Sequence, residues 1–299
     1  MSILVVGSVA MDSVKTPYGQ RKDVLGGSAT FFSIAASFFN KVDIIAVIGE
    51  DFPRKYLDIF RRKKIGIDGL HVTPGKTFRW EGSYAGDMNS AETIATHLNV
   101  FKDFRPDIPS RLKGSDFLFL ANIDPDLQYE VLGQVKRPRL VACDSMNYWI
   151  EHKPKSFERF LDKVDILLLN DIEARQFSGE ANLMKAAGKI VGRGPKAVVI
   201  KKGEHGVIYF SKKRHFIAPA YFLDTVRDPT GAGDTFAGGL VGFLSRQRKI
   251  DEAAIRKGIV YGSILASFAV EDFSVNGLLK ISKADIKKRY NDFREMTRF

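Results

Sequence analysis

Two glycines around an alanine, an acid directly after them and an apolar helical run beyond make the residues from Asp228 to Gly239 the stretch best equipped for chemistry. The string reads Asp-Pro-Thr-Gly-Ala-Gly-Asp-Thr-Phe-Ala-Gly-Gly. Phe236, Leu240 and Phe243 recur at i, i+4 and i+7, which predicts a buried helix starting near Asp234. Glycines just before a helix can bring bare backbone N–H groups close to a ligand. The helix N-terminus adds unpaired donors and partial positive charge, which suits phosphate. A carboxylate at Asp234 sits awkwardly beside a bound anion unless it performs chemistry, such as taking a proton from a hydroxyl nucleophile. Anion cradle and adjacent base are together the minimum for phosphoryl transfer to an alcohol. Read alone, Gly-Ala-Gly is also compatible with an ordinary tight turn in which Asp234 is the helix N-cap.

Over its full length the string resembles the C-terminal signature of the ribokinase-like carbohydrate kinases, the PfkB family. The resemblance runs from residue 3 to about residue 290, with its motifs in the expected order. It implies an α/β fold, a ribokinase-like three-layer sandwich with a mainly parallel central sheet and a small β lid. One kinase domain would span residues 1–299, with lid strands inserted at about 12–25 and 71–100. The implied activity is ATP- and magnesium-dependent phosphorylation of a hydroxyl on a small sugar or sugar-like polyol. Asp234 would be the general base, and Gly231, Ala232 and Gly233 the anion hole. Nucleoside kinases belong to the same family, so a nucleoside is the alternative acceptor, with Phe31, Phe32, Phe78 and Trp80 as an aromatic wall for its base. A non-catalytic small-molecule or nucleic-acid binder is a third reading. The intact Asp234 and its glycines speak against it.

Further motifs extend the resemblance. Gly26-Gly27-Ser28-Ala29 looks like the family's paired-glycine motif, and Asp12 matches the acid that holds substrate hydroxyls. A carboxylate can accept two alcohol hydrogen bonds, as a polyol requires; by residue type alone Asp12 is equally a turn residue. Many relatives place Asn four residues after the second glycine, in contact with the sugar. Here Phe31 stands there, so the acceptor differs from common hexoses and ribose, or the contact has moved. Asn170 and Glu173 resemble the N-x-x-E motif that places magnesium and phosphate, with Glu173 acting through water; a helix-capping Asn is the plainer alternative. Lys201-Lys202-Gly203-Glu204-His205-Gly206 resembles the family's nucleotide turn, with Lys201 where Thr is common. A lysine could reach phosphate as a flexible point charge. Asp228 would orient the loop or help place a cation, a monovalent one included. Gly262 and Ser263 lie where relatives flank adenine.

The elements that must carry these residues follow from periodicity. Short apolar runs at 3–7, 43–49, 117–122, 139–144, 165–170, 197–202 and 207–210 lack polar alternation, as strands buried on both faces do. Helical spacing falls between them at 29–39, 156–161 and 182–191. Segments 12–25 and 71–85 break the pattern as polar-alternating strands, through Val14, Thr16 and Tyr18 in the first and Phe78, Trp80, Gly82 and Tyr84 in the second. Periodicity leaves open whether they form a flap or two surface hairpins. The resemblance implies the flap, and with it a homodimer through an apolar lid face. Ser282 and Asp285 make a capping pair for a final amphipathic helix.

Composition excludes several classes. The 299 residues are 44% apolar and 27% charged, as in an ordinary globular protein. No apolar run reaches membrane length, and the N-terminus enters a strand without a signal-peptide pattern. Cys143 is the one cysteine, which fits a cytoplasmic protein. Net charge is +11, but the basic residues are scattered and no nucleic-acid signature accompanies them. Gly75-Lys76-Thr77 fails as a P-loop because Leu70 occupies the upstream glycine position and strand-like residues follow. The dinucleotide-binding glycine pattern, the G-x-S-x-G elbow and metal-ligand histidine spacing are all missing. A small-molecule sugar, polyol or nucleoside is the expected partner.

Overall fold

Alternate residues of β1 (Ser2–Val6) serve opposite layers: Ile3 and Val5 join one hydrophobic cluster, Leu4 and Val6 the other. All four are fully buried, so the strand has no polar face to show in its sequence. The computed structural model describes residues 1–86 and 88–298; residue 87, inside the expected lid segment, and residue 299 lie outside the described residues. The other strands are β2 (Ala10–Thr16), β3 (Gly19–Gly26), β4 (Lys41–Gly49), β5 (Gly66–Thr73), β6 (Arg79–Tyr84), β7 (Ala91–His97), β8 (Phe117–Leu120), β9 (Leu140–Asp144), β10 (Ile166–Asn170), β11 (Ala197–Lys201), β12 (Val207–Ser211) and β13 (His215–Ala218).

Nine strands form the central sheet in the order β13-β12-β11-β10-β9-β8-β1-β4-β5. The pairs from β11 through to β5 are parallel, while β12 pairs antiparallel with both its neighbours. The chain leaves β1 towards β4 and later returns on its other side as β8. Strand order therefore reverses at β1, and in open α/β sheets the crevice above such a reversal binds ligand.

All seven expected strands are present. Two more escaped the pattern. β5 is an edge strand with a largely exposed far end, and β13 is four residues long. His71, Val72 and Thr73 thus belong to the central sheet through β5 and not to the lid, which corrects the expected insertion at 71–100. The remainder of that insertion supplies β6 and β7. With β2 and β3 they make a separate sheet in the order β3-β2-β6-β7. Val14 and Thr16 are buried as expected, while Tyr18 lies exposed in the turn beyond β2.

Helices cover both faces: α1 (Ser28–Ala36), α2 (Arg54–Arg62), α3 (Pro125–Gln134), α4 (Asn147–His152), α5 (Pro154–Glu158), α6 (Asp171–Ser178), α7 (Leu183–Gly192), α8 (Ala232–Leu244), α9 (Glu252–Ala269), α10 (Asn276–Leu279) and α11 (Lys283–Met296). Helix α8 is nearly all buried, between α1 and α9. Its glycines allow this: a Cβ at Gly239 would lie 2.9 Å from the Gly262 Cα, and one at Gly242 3.0 Å from the Ala36 Cα. Helix α11 begins with the expected capping box of Ser282 and Asp285.

Candidate active site

Two of the helices that open without a capping side chain do so on glycine. Gly27 begins α1 at φ 94 and Gly231 begins α8 at φ 74, in the region that glycine enters without penalty. By contrast α6, α7, α9 and α11 each start on an Asn, Asp or Ser cap. The first-turn N–H groups of α8 are not claimed by a capping side chain, as an anion site requires, whereas α1 gives its first N–H to Ser8. The two termini adjoin: a side chain at Gly231 would run into the Phe31 ring. Asp234 lies in the first turn of α8 rather than at its N-cap, so the tight-turn reading of this residue falls.

Asp12 is 6% exposed and accepts a hydrogen bond from the Gly27 N–H. Its carboxylate fills the space a side chain at Gly26 would need. The turn is pinned to the end of β1, where the Ser28 N–H donates to Ser8 Oγ at 3.0 Å and the Ala29 N–H to the Ser8 carbonyl at 2.9 Å. Burial, with Asp228 and Asp234 nearby, pushes the Asp12 carboxyl up to about 7. Asp234 is likewise pushed up to about 7, by burial first and Asp144 second, against the pull of Lys201. Asp228 holds the loop from behind. It accepts from the Thr230 and Ser274 N–H groups, each at 2.9 Å, and so ties the start of the loop to the segment after α9.

The adjacent strands β9, β10 and β11 end in Asp144, Asn170 and Lys201, so the parallel register lines these side chains along one edge of the sheet. Lys201 Nζ donates to Asp144 Oδ2 at 2.9 Å, and a Cβ on Gly233 would lie 2.9 Å from the same Nζ. Asn170 and Glu173 form a reciprocal capping box on α6, with both bonds at 2.7 Å. The capping alternative is thus realised, and it occupies Glu173 Oε2. Burial pushes the Glu173 carboxyl up to about 7 against the pull of Lys201, with Asp144 and Asp234 adding to the rise. Among the described residues no group of three or more His, Cys, Asp or Glu side chains could hold a metal ion. A magnesium ion that keeps its waters and leans on nucleotide phosphates suits such a donor set, and it would relieve the surplus of negative charge.

The second sheet touches the loop that leads into α8. Thr230 donates to the Tyr84 hydroxyl of β6 at 3.3 Å, and Thr16 of β2 donates to the Arg227 carbonyl at 2.9 Å. Burial raises the Tyr84 phenol above its ordinary value, helped by Asp228, Asp12 and Asp234. Arg79 ties the hairpin at Asp23 to Asp51 beyond β4. The turn after β11 keeps both glycines at positive φ, with Gly203 against Asn89 and Gly206 against the Ala218 carbonyl.

Some expected contacts are placed elsewhere. Phe31 is 1% exposed beneath Gly231, and Phe32 stacks on Phe119 in the core at 4.1 Å. Phe78 stacks on Phe101. The four aromatic residues therefore form no common wall. Gly262 faces α8, where a Cβ would meet the Phe236 carbonyl at 2.8 Å, so its smallness answers to helix packing; Ser263 beside it is 9% exposed. Asp144 and Tyr84 went unassigned. An acid ending a doubly buried parallel strand could have pointed to Asp144, whereas no spacing rule distinguishes Tyr84 from its lid neighbours.

The family pattern described as pfkB family carbohydrate kinase matches residues 1–278. A cytidine kinase of Thermococcus kodakarensis is 29% identical over 87% of this chain and 94% of its own length. A ribokinase of Haemophilus influenzae is 31% identical over 90% of this chain and 92% of its own. Among solved structures, aminoimidazole riboside kinase from Salmonella enterica, complexed with aminoimidazole riboside and an ATP analog, superposes with a TM-score of 0.79. That match covers 97% of this chain and 100% of the other at 19% identity, so what it conveys is the fold.

Proposed function

The chain belongs to the PfkB family of carbohydrate kinases and is a sugar or nucleoside kinase; from that premise we propose that Asp234 is the general base and the Gly231–Gly233 backbone the anion hole. The observation that carries this reading is a carboxylate in the first turn of an uncapped helix, within electrostatic reach of Asp12. Asp12 accepts the acceptor's hydroxyls and Asp234 takes the proton of the attacking one. The N–H groups around Ala232 face the charge on the transferring phosphoryl group. Glu173 would hold, through water, a magnesium ion brought with ATP, and the ion would supply positive charge to the phosphate oxygens. Correct positioning of these few groups is most of what phosphoryl transfer needs.

The acceptor is proposed to be a nucleoside in preference to a free sugar. Phe31 stands where relatives use an amide to contact the sugar, and it is buried beneath Gly231, so this position offers a sugar no polar contact. The similarity to a cytidine kinase along nearly its whole length supports the same choice. An assay with ATP and magnesium across cytidine, other nucleosides, ribose, fructose and inositol tests it. The expected result is a kcat/KM for at least one nucleoside about 10-fold or more above ribose and fructose. Ribose or fructose turned over faster than every nucleoside would reverse the choice.

A further inference from the structure

We infer that Lys201 is a catalytic residue that touches the transferring phosphoryl group, and that Asp144 is the residue that positions it. The inference deepens the proposed mechanism and rests on Asp234 acting as the base. Lys201 ends β11 and Asp144 ends β9, with β10 between them. Their side chains meet across it at 2.9 Å, and both are largely buried, at 17% and 6% exposed. Such a pair away from water is held far more firmly than a surface ion pair. The ammonium carries three N–H donors, and Asp144 takes one of them.

The position of the ammonium is the telling observation. Nζ sits 2.9 Å from the place a Gly233 Cβ would occupy, directly against the backbone of the proposed anion hole. A phosphoryl group resting on that backbone lies within reach of the remaining donors. In the transfer step the acceptor oxygen bonds to phosphorus, its proton passes to Asp234, and the bond from phosphorus to the ADP oxygen breaks. Negative charge on the migrating group then meets a fixed positive charge that needs no rearrangement.

Asp144 also settles which acid the lysine serves. Asp234 and Glu173 both feel Lys201. A lysine free to swing would pair with Asp234 and quench the base. Holding it on Asp144 leaves Asp234 free to accept a proton.

The test is a cycle of Lys201→Met, Asp144→Asn and the double variant, with Asp234→Asn assayed beside them. Lys201→Met is expected to lower kcat about 10²–10³-fold, with acceptor KM and ADP affinity within about threefold of the parent. Asp144→Asn alone is expected to lower kcat about 10-fold or more, yet to cost less than about twofold when added to Lys201→Met. A purely structural Asp144 would instead lower melting temperature and cost the same factor in both backgrounds. Lys201→Met leaves a buried carboxylate unpaired and can misfold; the double variant removes both charges at once, and Lys201→Arg retains one. A folded double variant with more than half the parental kcat overturns the inference, as does equal loss from Asp144→Asn in either background. If Asp234→Asn also keeps its turnover, the base assignment has failed; if it alone is inactive, only the lysine inference has.

Discussion

Asp234 must be ionised to accept a proton, and its surroundings oppose ionisation. Burial and Asp144 raise its carboxyl to about 7, above the carboxylate range, so below that pH the base is increasingly occupied. The expected kcat/KM profile falls on the acid side of about pH 7, by about 10-fold per unit for a single required deprotonation. A profile flat from pH 5 to 8 would rule out Asp234 as the titrating base. Asp234→Asn is nearly isosteric and no capping bond depends on it, so folding and nucleotide affinity should persist while turnover drops about 10²–10⁴-fold. Isothermal calorimetry with ADP beside a rate assay separates the two. At this scale Gly231 and Asp234 stood out by their local pattern, and Asp12 and Gly27 through the family resemblance. Asp144 did not stand out, because the lysine that gives it meaning lies 57 positions away.

Helix α8 and the second sheet act as elements, and each has its own weak point. A Cβ at Gly233 would lie 2.9 Å from Lys201 Nζ, so Gly233→Val should displace the lysine as well as crowd the phosphate. Turnover is expected to fall at least about 10²-fold with the fold retained; a folded variant with parental nucleotide affinity and rate would remove the cradle. For the lid, the Thr230–Tyr84 hydrogen bond links β6 to the anion loop. Closing over the acceptor would keep water from competing as nucleophile. Acceptor should then protect amides of β2, β3 and β6 from hydrogen exchange, and Tyr84→Phe should weaken that protection and raise ATP hydrolysis without acceptor. Protection confined to the central sheet would make these strands surface hairpins. Their alternation marked them as half-buried strands, but which surface they bury depends on where β2 lies beside β6, a pairing across 68 residues.

Across the whole molecule a net charge of +11 surrounds a cleft holding Asp12, Asp144, Glu173, Asp228 and Asp234 against Lys201. The basic exterior favours approach of anionic nucleotide, while the acidic interior is a stability cost in the empty protein. Asp12 is the clearest case. Its carboxyl stands at about 7 in the folded chain against 3.8 as an ordinary Asp. Between those values the native state holds a proton that the unfolded chain has released, so this stabilisation is present at low pH and lost as pH rises towards 7. Asp12→Asn should therefore raise the ligand-free melting temperature at pH 8, by something on the order of 2–4 °C, and change it little at pH 4, while acceptor KM rises. A melting temperature unchanged or lowered at pH 8 would show that Asp12 is not held in a costly state.

The sequence by itself determined the layer architecture, since runs such as Leu167-Leu168-Leu169 can be buried on both faces only in a helix-covered parallel sheet. It also pointed to the proposed anion loop and base, because Gly-Ala-Gly-Asp before an apolar helix is a local pattern that can be read without its surroundings. Edge strand β5 escaped because edges are half-wet and lose their alternation. Only the tertiary structure decided what Phe31 and Gly262 touch. Phe31 reads as a substituted sugar contact until it is found beneath Gly231, and Gly262 as an adenine neighbour until α8 is found against it. It likewise decided the pairing of Lys201 with Asp144, since a parallel sheet sets the ends of distant strands side by side. Helix and strand periods describe neighbours along the chain; charges that meet across strands are set by register, which depends on the packing of the whole sheet.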